Sequence, residues 1–221
     1  MAIKLEDLRM TWREPDGRER HVLDVPLLEV PDASQLCLVG HSGSGKTTLL
    51  NVIAGIVRPS AGRVFVGGEE ISAMGEAQRD LFRARHVGYV FQTFNLLQGL
   101  TAVENVMLAM SFAGVAARPA RERAEHLLDR VGLSERRRAR PATMSVGEQQ
   151  RVAIARALAN RPMVVLADEP TANLDERNAA ETIDLLRETT SEENSILLLV
   201  THDAEVRDRF DDVRELREIS R

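Results

Sequence analysis

The chain has 221 residues, of which 43% are apolar and 29% charged, and a formal net charge of −5 at pH 7. This length and composition are typical of one globular domain and exclude a disordered or fibrous chain, while the acidic balance argues against a dedicated nucleic-acid binder. The single cysteine, Cys37, excludes an internal disulfide and is expected to be a small buried hydrophobe in a reducing compartment. No uncharged stretch reaches the ~18 residues of a membrane span, and the N-terminus is not a secretory signal. We therefore expect a cytosolic protein that reaches a membrane only through a partner.

Short apolar runs bounded by glycine or turn residues predict strands along the chain. Residues 3–11 and 20–30 alternate loosely between apolar and polar side chains around a Pro15-Asp16-Gly17 turn, which predicts a β-meander. The run Gln35–Val39 predicts a buried strand, followed by a glycine-rich loop and a helix from about Lys46 to near Gly55. Further strands are predicted at Arg63–Val66, Val87–Phe91, Met163–Ala167 and Ile196–Val200.

The middle of the chain, from about residue 93 to 160, is predicted to be helical. The pattern Thr101-x-x-Glu104 is a capping box that opens one helix. Between the last two strands, Ala179, Ile183 and Leu186 give a further helix one apolar face. Strand–helix alternation at both ends of the chain predicts a parallel α/β core that carries a helical insertion.

A glycine-rich loop is the first motif that carries chemistry. The segment Gly40-His41-Ser42-Gly43-Ser44-Gly45-Lys46-Thr47 fits G-x-x-x-x-G-K-[ST] completely, between a predicted strand and a predicted helix. Its glycines allow backbone N–H groups to surround phosphates, and the helix N-terminus adds partial positive charge. Lys46 would reach the β- and γ-phosphates, and the Thr47 hydroxyl would bind Mg²⁺. A glycine turn that binds nothing is disfavoured, because motif and context agree; the loop predicts nucleotide binding without fixing a family.

Acidic residues mark a second part of the same site. Asp168 and Glu169 follow the apolar run Val164–Ala167, and the carboxyl end of a core strand is where ligands bind in open α/β sheets. A solvated acid pair is the alternative for this motif alone. Beside a phosphate loop, Asp168 is predicted to hold the magnesium shell and Glu169 to polarise the attacking water as general base. His202 follows the last predicted strand in the same way and is assigned to the same site.

Together with Ser145-Val146-Gly147-Glu148-Gln149-Gln150-Arg151, these motifs resemble the nucleotide-binding subunit of ABC transporters, over essentially the whole chain and in the family's order. The chain looks most like the MacB/LolD type, which serves FtsX-like permeases in macrolide export and lipoprotein release. The resemblance implies an α/β fold with a P-loop NTPase (RecA-like) core at residues 1–92 and 160–221. An N-terminal antiparallel β-subdomain and an inserted helical signature subdomain, at about residues 93–159, complete the implied domain.

The resemblance also implies the site residues. Glu169, the switch histidine His202 and the Q-loop residue Gln92 are implied to be catalytic, and Thr47, Gln92 and Asp168 to bind Mg²⁺. Trp12 lies where the family places an adenine-stacking aromatic, although a half-buried strand tryptophan remains an alternative. In the resemblance, Asn173-Leu174-Asp175 corresponds to the D-loop and Met144–Glu148 to the signature. The residues implied to bind ATP are Trp12, Gly40, His41, Ser42, Gly43, Ser44, Gly45, Lys46, Thr47, Thr48, Ser145, Gly147 and Asp175.

The signature departs from the family's usual Leu-Ser-Gly-Gly-Gln, because this chain has Met144-Ser145-Val146-Gly147-Glu148. Val146 removes the backbone freedom of glycine, and Glu148 brings a negative charge near a polyphosphate. However, Ser145-x-x-Glu148 is itself a capping-box pattern. We therefore expect Glu148 to turn back to the start of its own helix and leave the Ser145 hydroxyl and the Gly147 N–H for phosphate. The preceding run Arg136-Arg137-Arg138-Ala139-Arg140 is predicted to be a solvated connection.

The resemblance implies that two copies associate head to tail around two ATP molecules and drive a separate permease. The subunit would then lie at the inner face of the cell membrane and power export or extraction of a lipophilic substrate or lipoprotein, with or without a periplasmic adaptor. In the family, the region of Phe91–Leu97 contacts the permease; a core-facing hydrophobic loop is an equal alternative. No nucleic-acid partner is expected.

Two other functions are alternatives to this motor. A soluble ABC ATPase acting on ribosomes or DNA is the main alternative, but such proteins usually carry two domains in one chain or a long coiled coil, which 221 residues do not hold. A nucleotide kinase would share the phosphate loop and is disfavoured, because it would need neither Ser145–Arg151 nor His202. An ATP-dependent dimer would separate the kinase from the other two, and copurification with a membrane would separate the motor from the soluble ATPase.

Overall fold

The computed structural model of the protein describes residues 3–13 and 17–220, so the predicted turn residues Pro15 and Asp16 lie outside the described residues. The strands are β1 (Ile3–Arg13), β2 (Glu19–Val30), β3 (Gln35–Val39), β4 (Ala61–Val66), β5 (Glu69–Glu70), β6 (Val87–Val90), β7 (Val164–Asp168), β8 (Ile196–Thr201) and β9 (Asp212–Glu215). The helices are α1 (Lys46–Ile53), α2 (Glu76–His86), α3 (Ala102–Phe112), α4 (Ala117–Arg130), α5 (Val146–Ala157), α6 (Glu176–Glu192), α7 (Ala204–Arg207) and α8 (Leu216–Ile219).

A parallel sheet with the order β6-β7-β8-β3-β9 forms the middle layer of the molecule. Strands β7 and β8 are buried along their whole length, as their continuous apolar runs predict. Side chains on alternate positions enter two separate cores. Val164 and Leu166 pack with α1 and the antiparallel sheet, whereas Val165 and Ala167 pack with the helices on the other face. The sheet therefore lies between two hydrophobic layers.

An antiparallel sheet with the order β2-β1-β4-β5 covers one face of the parallel sheet. Strand β1 pairs with β2 from Ile3 opposite Val30, which confirms the predicted pairing of the two N-terminal segments. At Gly62 the backbone of β4 approaches β1 closely, with φ +89°, and an added Cβ would lie 2.3 Å from the Asp7 carbonyl oxygen. Only glycine fits there without strain.

The helical region contains three helices, α3, α4 and α5. After the loop that begins at Phe91, Thr101 and Glu104 form the predicted capping box at the start of α3, with the Thr101 N–H donating to Glu104 Oε2 at 2.8 Å. Helices α3, α4 and α5 share one hydrophobic core with Val165 and Ala167, the face of β7 that points away from the antiparallel sheet. On α6, Ile183 and Leu186 are fully buried, which confirms the predicted apolar face.

Five elements were not predicted: β5 and α7 span only two and four residues, and α2, β9 and α8 have weak sequence signals. Helix α2 buries only Arg79, so its sequence shows no apolar period. Strand β9 lies at a sheet edge and is polar at Asp212, Arg214 and Glu215, and α8 spans only four residues. Cys37 is buried as expected, and burial raises the pKa of its thiol to about 12.

Candidate functional site

The glycine-rich loop joins β3 to α1 at the carboxyl end of the parallel sheet. Gly45 precedes the helix with φ +97°, and a Cβ there would lie 3.1 Å from the Val22 carbonyl oxygen, so the loop passes tightly under β2. Lys46 is buried and folds back over its own loop. Its Nζ donates to the carbonyl oxygens of Gly40 at 2.6 Å and His41 at 3.2 Å. The loop backbone therefore fixes the Lys46 ammonium group.

Strand pairing brings the two predicted acids next to this loop. In the sheet, Val39 lies opposite Thr201 and Asp168 opposite Val200, so β3, β7 and β8 end side by side. Asp168 is buried and its Oδ1 accepts a hydrogen bond from Thr47 Oγ1 at 3.2 Å. Burial raises the pKa of the Asp168 carboxyl, and the Glu169 carboxylate beside it adds to the rise, while the Thr47 hydrogen bond opposes it.

The Glu169 carboxylate is held by groups from two elements. Oε1 lies 2.8 Å from His202 Nδ1 and 3.4 Å from Lys46 Nζ. Oε2 accepts hydrogen bonds from Thr201 Oγ1 at 3.0 Å and from the His202 backbone N–H at 3.3 Å. The Glu169 backbone has φ +44°, a conformation that costs a non-glycine residue about 1–3 kcal/mol. Strain of this kind persists where neighbouring structure fixes a functional side chain.

Lys46, Thr47, Glu169 and His202 line a cavity of about 560 Å³, and Asp168 lies beside it in contact with Thr47. Its wall includes residues 42–48 of the loop, Gln92, Glu169, His202 and, from the β1–β2 hairpin, Trp12. Trp12 lies in β1 and is 45% exposed, so the alternative of a half-buried strand side chain stays open. Its role as a base-stacking residue stays a prediction. His41 lies on the other side of the loop and lines smaller neighbouring cavities.

The cavity also contains residues that sequence reasoning missed. Arg13 follows Trp12 directly, and Arg20 lies opposite Trp12 in the β1–β2 register. The hairpin register could have indicated both, once Trp12 was placed at the site. The hydrogen bond from Thr201 to Glu169 could not be predicted from motif spacing in the sequence, because it depends on how β8 aligns with β7.

Gln92 and the D-loop are in contact. Gln92 is exposed at the cavity, and its backbone oxygen accepts a hydrogen bond from Asn173 Nδ2 at 2.9 Å. Asp175 does not line the cavity; its carboxylate caps α6 through the Asn178 N–H at 2.9 Å. Hydrogen bonds to Asn178 hold the pKa of Asp175 below its ordinary value.

The signature segment lies at the start of α5, away from the cavity of its own chain. Ser145 and Gly147 are not among the cavity residues, and an added Cβ on Gly147 would lie 3.5 Å from Asn178 Oδ1. The predicted capping box is present: Glu148 Oε2 accepts from the Ser145 N–H at 2.8 Å, and the Glu148 N–H donates to Ser145 Oγ at 3.2 Å. The hydrogen bond from the Ser145 N–H is the main cause that holds the pKa of Glu148 below its ordinary value, and the Arg136 guanidinium adds to it.

The run before the signature is only partly a solvated connection. Arg138 and Arg140 are exposed, as predicted. Arg136 instead forms an ion pair with Glu148, and Arg137 forms one with Asp129. The hydrophobic segment Phe91–Leu97 also has mixed surroundings: Leu96 is buried in the core, whereas Leu97 is half exposed.

A glycine loop between a strand and a helix, facing two adjacent acids at the carboxyl end of β7, is the arrangement of a P-loop NTPase. A family model described as ABC transporter matches residues 24–172, and the chain belongs to the ABC transporter family. It resembles the lipoprotein-releasing system ATP-binding protein LolD of Pseudomonas syringae pv. tomato, with 46% identity over 86% of this chain and 83% of LolD. It also resembles the macrolide export ATP-binding/permease protein MacB of Syntrophobacter fumaroxidans, with 43% identity over 92% of this chain and 29% of MacB.

Among solved structures, the ATP-binding cassette MJ0796 has a TM-score of 0.87 and 32% identity, and the match covers 96% of this chain and 93% of that one. That cassette was solved as a dimer in a post-hydrolysis state with ADP and Pi. The resemblance inferred from the motifs and the fold class are thus confirmed. The chain is an ABC transporter ATP-binding subunit of the LolD/MacB type, and its domain implies ATP hydrolysis. Among the described residues, no helix combines the length and the apolar character that crossing a membrane requires.

Proposed function

We propose that the chain hydrolyses ATP bound in the 560 Å³ cavity, with Glu169 as the general base. The observation that carries this proposal is that four polar contacts fix the Glu169 carboxylate: two from His202, one from Thr201 and one from Lys46. A general base must lie within hydrogen-bond reach of the water that it deprotonates, in a fixed orientation. In this assignment His202 positions the carboxylate, and Lys46 supplies the positive charge that meets the β- and γ-phosphates.

Other residues in and beside the cavity fit a magnesium nucleotide. The Thr47 hydroxyl and the Asp168 carboxylate lie 3.2 Å apart, and oxygen ligands of this kind are what Mg²⁺ prefers. Gln92 lines the same cavity and completes the proposed metal-binding set. The ion, when bound, neutralises charge on the phosphates. The loop N–H groups of residues 42–48 would bind the phosphates and Trp12 would stack on the adenine.

The signature segment supports a head-to-tail dimer. Ser145 and Gly147 lie outside the cavity of their own chain, at the start of α5, where free N–H groups and the helix dipole favour an anion. We propose that they close the cavity of a second copy, with Asp175 and the rest of the D-loop at the same interface. The dimeric state of MJ0796, which this chain matches along 96% of its length, supports this arrangement.

The permease is proposed to dock in a groove that β6 lines, away from the ATP cavity. This groove of about 600 Å³ lies between α2, α3 and α5, and exposed Leu81 and Phe112 line it. In the proposed complex, residues 93–159 act as the helical subdomain against a core of residues 1–92 and 160–221. The permease holds the subunit at the inner face of the cell membrane. A transport-coupled ATPase that exports or extracts a lipophilic substrate or lipoprotein is the function we favour, and a periplasmic adaptor is compatible with it.

The test is Glu169→Gln, assayed beside the wild-type chain. ATP turnover should fall about 10²-fold or more, the usual contribution of a general base, while ATP and Mg²⁺ should produce a stable dimer in size-exclusion chromatography. Trp12 is the only tryptophan, so its fluorescence reports nucleotide binding directly. Unchanged turnover would overturn the base assignment. A variant that binds ATP but stays monomeric would overturn the proposed dimer.

A further inference from the structure

The charge of the signature segment needs a physical account. Glu148 is a carboxylate in the first turn of α5, the helix end that the proposed function directs at the triphosphate held by a second copy. A helix N-terminus stabilises a carboxylate within its own chain. The same carboxylate would repel a bound polyphosphate if it stood free. Some other group must therefore offset it.

Arg136 makes that contact. Its Nε lies 3.0 Å from Glu148 Oε1 and its Nη2 lies 3.4 Å from Glu148 Oε2, so the guanidinium meets the carboxylate with two nitrogens. Nη2 also donates to the Thr143 carbonyl oxygen at 2.7 Å, two residues before Ser145. One side chain therefore fixes both the Glu148 carboxylate and the backbone that leads into the signature.

We propose that Arg136 is a positioning residue of the composite ATP site, which cancels the charge of Glu148 and holds the segment from Ser145 to Glu148 with its hydrogen-bond donors facing outward. The inference rests on the proposed head-to-tail dimer and names the residue that makes this altered signature work in it. The Glu148 carboxylate receives the Ser145 N–H and the Arg136 guanidinium, so the Ser145 hydroxyl hydrogen and the Gly147 N–H stay available for phosphate.

Fold stability is not a sufficient reason for this pair. The side chains of Arg136 and Glu148 are 40% and 25% exposed, and ion pairs at such exposure contribute little to stability. Their position is what distinguishes them. The neighbouring Arg138 has the same charge and belongs to the same run, but it is exposed and lies apart from the capping box among the described contacts. It therefore offers a matched control.

The experiment compares Arg136→Gln, Arg138→Gln and the double variant Arg136→Gln/Glu148→Gln with the wild-type chain. In Arg136→Gln the KM for ATP, and the ATP concentration that half-saturates dimer formation in a Glu169→Gln background, should rise about tenfold from one uncompensated like charge. Binding to the monomer, read from Trp12 fluorescence, should not change. Higher salt should reduce the defect, because screening weakens the repulsion.

The double variant separates charge from packing. Glutamine at position 148 keeps the capping pattern without the charge, so the double variant should recover to near the wild-type KM. Two results would overturn the proposal: an Arg136→Gln variant that behaves like Arg138→Gln, or a double variant as impaired as Arg136→Gln alone. If the Glu169→Gln parent itself fails to dimerise with ATP, the proposed function fails first and takes this inference with it.

Discussion

At the scale of single residues, two aspartates seven residues apart in the sequence have opposite surroundings. Asp168 is buried at the end of β7, and burial raises its pKa above the ordinary value of 3.8. Asp175 lies on the surface and its hydrogen bonds to Asn178 lower its pKa. The ionised form is therefore disfavoured by folding at Asp168 and favoured at Asp175. Such a cost at Asp168 is typical of a site that is kept for ligand binding instead of stability.

We predict that Asp168→Asn raises the melting temperature of the nucleotide-free protein by a few degrees at pH 7, while Mg²⁺-dependent ATP turnover is lost. A raised folded-state pKa penalises folding fully above that pKa, and the penalty disappears below the unfolded value. The gain should therefore shrink to nothing as the pH falls to about 4. Asp175→Asn is the control, measured by the same melting curves, and should bring no gain. An equal gain in both variants would contradict the assignment.

At the scale of elements, the loop after β6 is held in an unfavourable conformation. Phe94 and Asn95 both have φ +50°, and their carbonyl oxygens accept hydrogen bonds from Arg156 Nη2 and Nη1, each at 2.6 Å. Burial lowers the pKa of the Arg156 guanidinium. This planar group can serve both carbonyls at once, whereas an ammonium is a point donor. The position of Gln92 in the ATP cavity therefore depends on a residue of α5.

Arg156→Lys should loosen this loop. We expect faster amide hydrogen exchange in residues 92–97 and a lower rate of ATP turnover, because Gln92 is no longer fixed at the cavity. Nucleotide binding read from Trp12 should stay near the wild-type level. Arg118→Lys, on an exposed face of α4, is the matched control and should change none of these quantities. Unchanged exchange in residues 92–97 would show that Arg156 does not hold the loop.

The same elements show what a sequence can and cannot predict. Strands β7 and β8 were predictable because both faces are buried, which requires continuous apolar runs ending in the acid and histidine motifs. Helix α2 was not, because its surroundings bury only Arg79. The cap between Ser145 and Glu148 follows from a local spacing of three. Its partner Arg136 comes from 12 residues earlier, through two short turns whose path no spacing rule gives.

At the scale of the whole molecule, one short segment connects two surfaces. Gln92 lines the ATP cavity, and a few residues later Phe94 and Asn95 are bound by Arg156, which also lines the groove beside α2 and α3. Asn173 adds a contact from the proposed dimer interface to Gln92. A partner bound in the groove would therefore contact Arg156, and through it the loop that carries Gln92 in the ATP site. A transport motor requires such a connection between its partner and its ATP site.

We predict that the groove captures a membrane protein. Glu169→Gln, loaded with ATP and Mg²⁺ and used to pull partners from detergent-solubilised membranes of the source organism, should recover a polytopic permease in near-equal amount. Adding Leu81→Asp, inside the groove, should abolish recovery, because a carboxylate opposes burial of the apolar wall. Leu27→Asp, on the antiparallel sheet, is the matched control, since Leu27 is 53% exposed and Leu81 is 42% exposed. Equal recovery with both variants would place the permease elsewhere, and recovery of ribosomes, repair proteins or the chain alone would favour a soluble ABC ATPase.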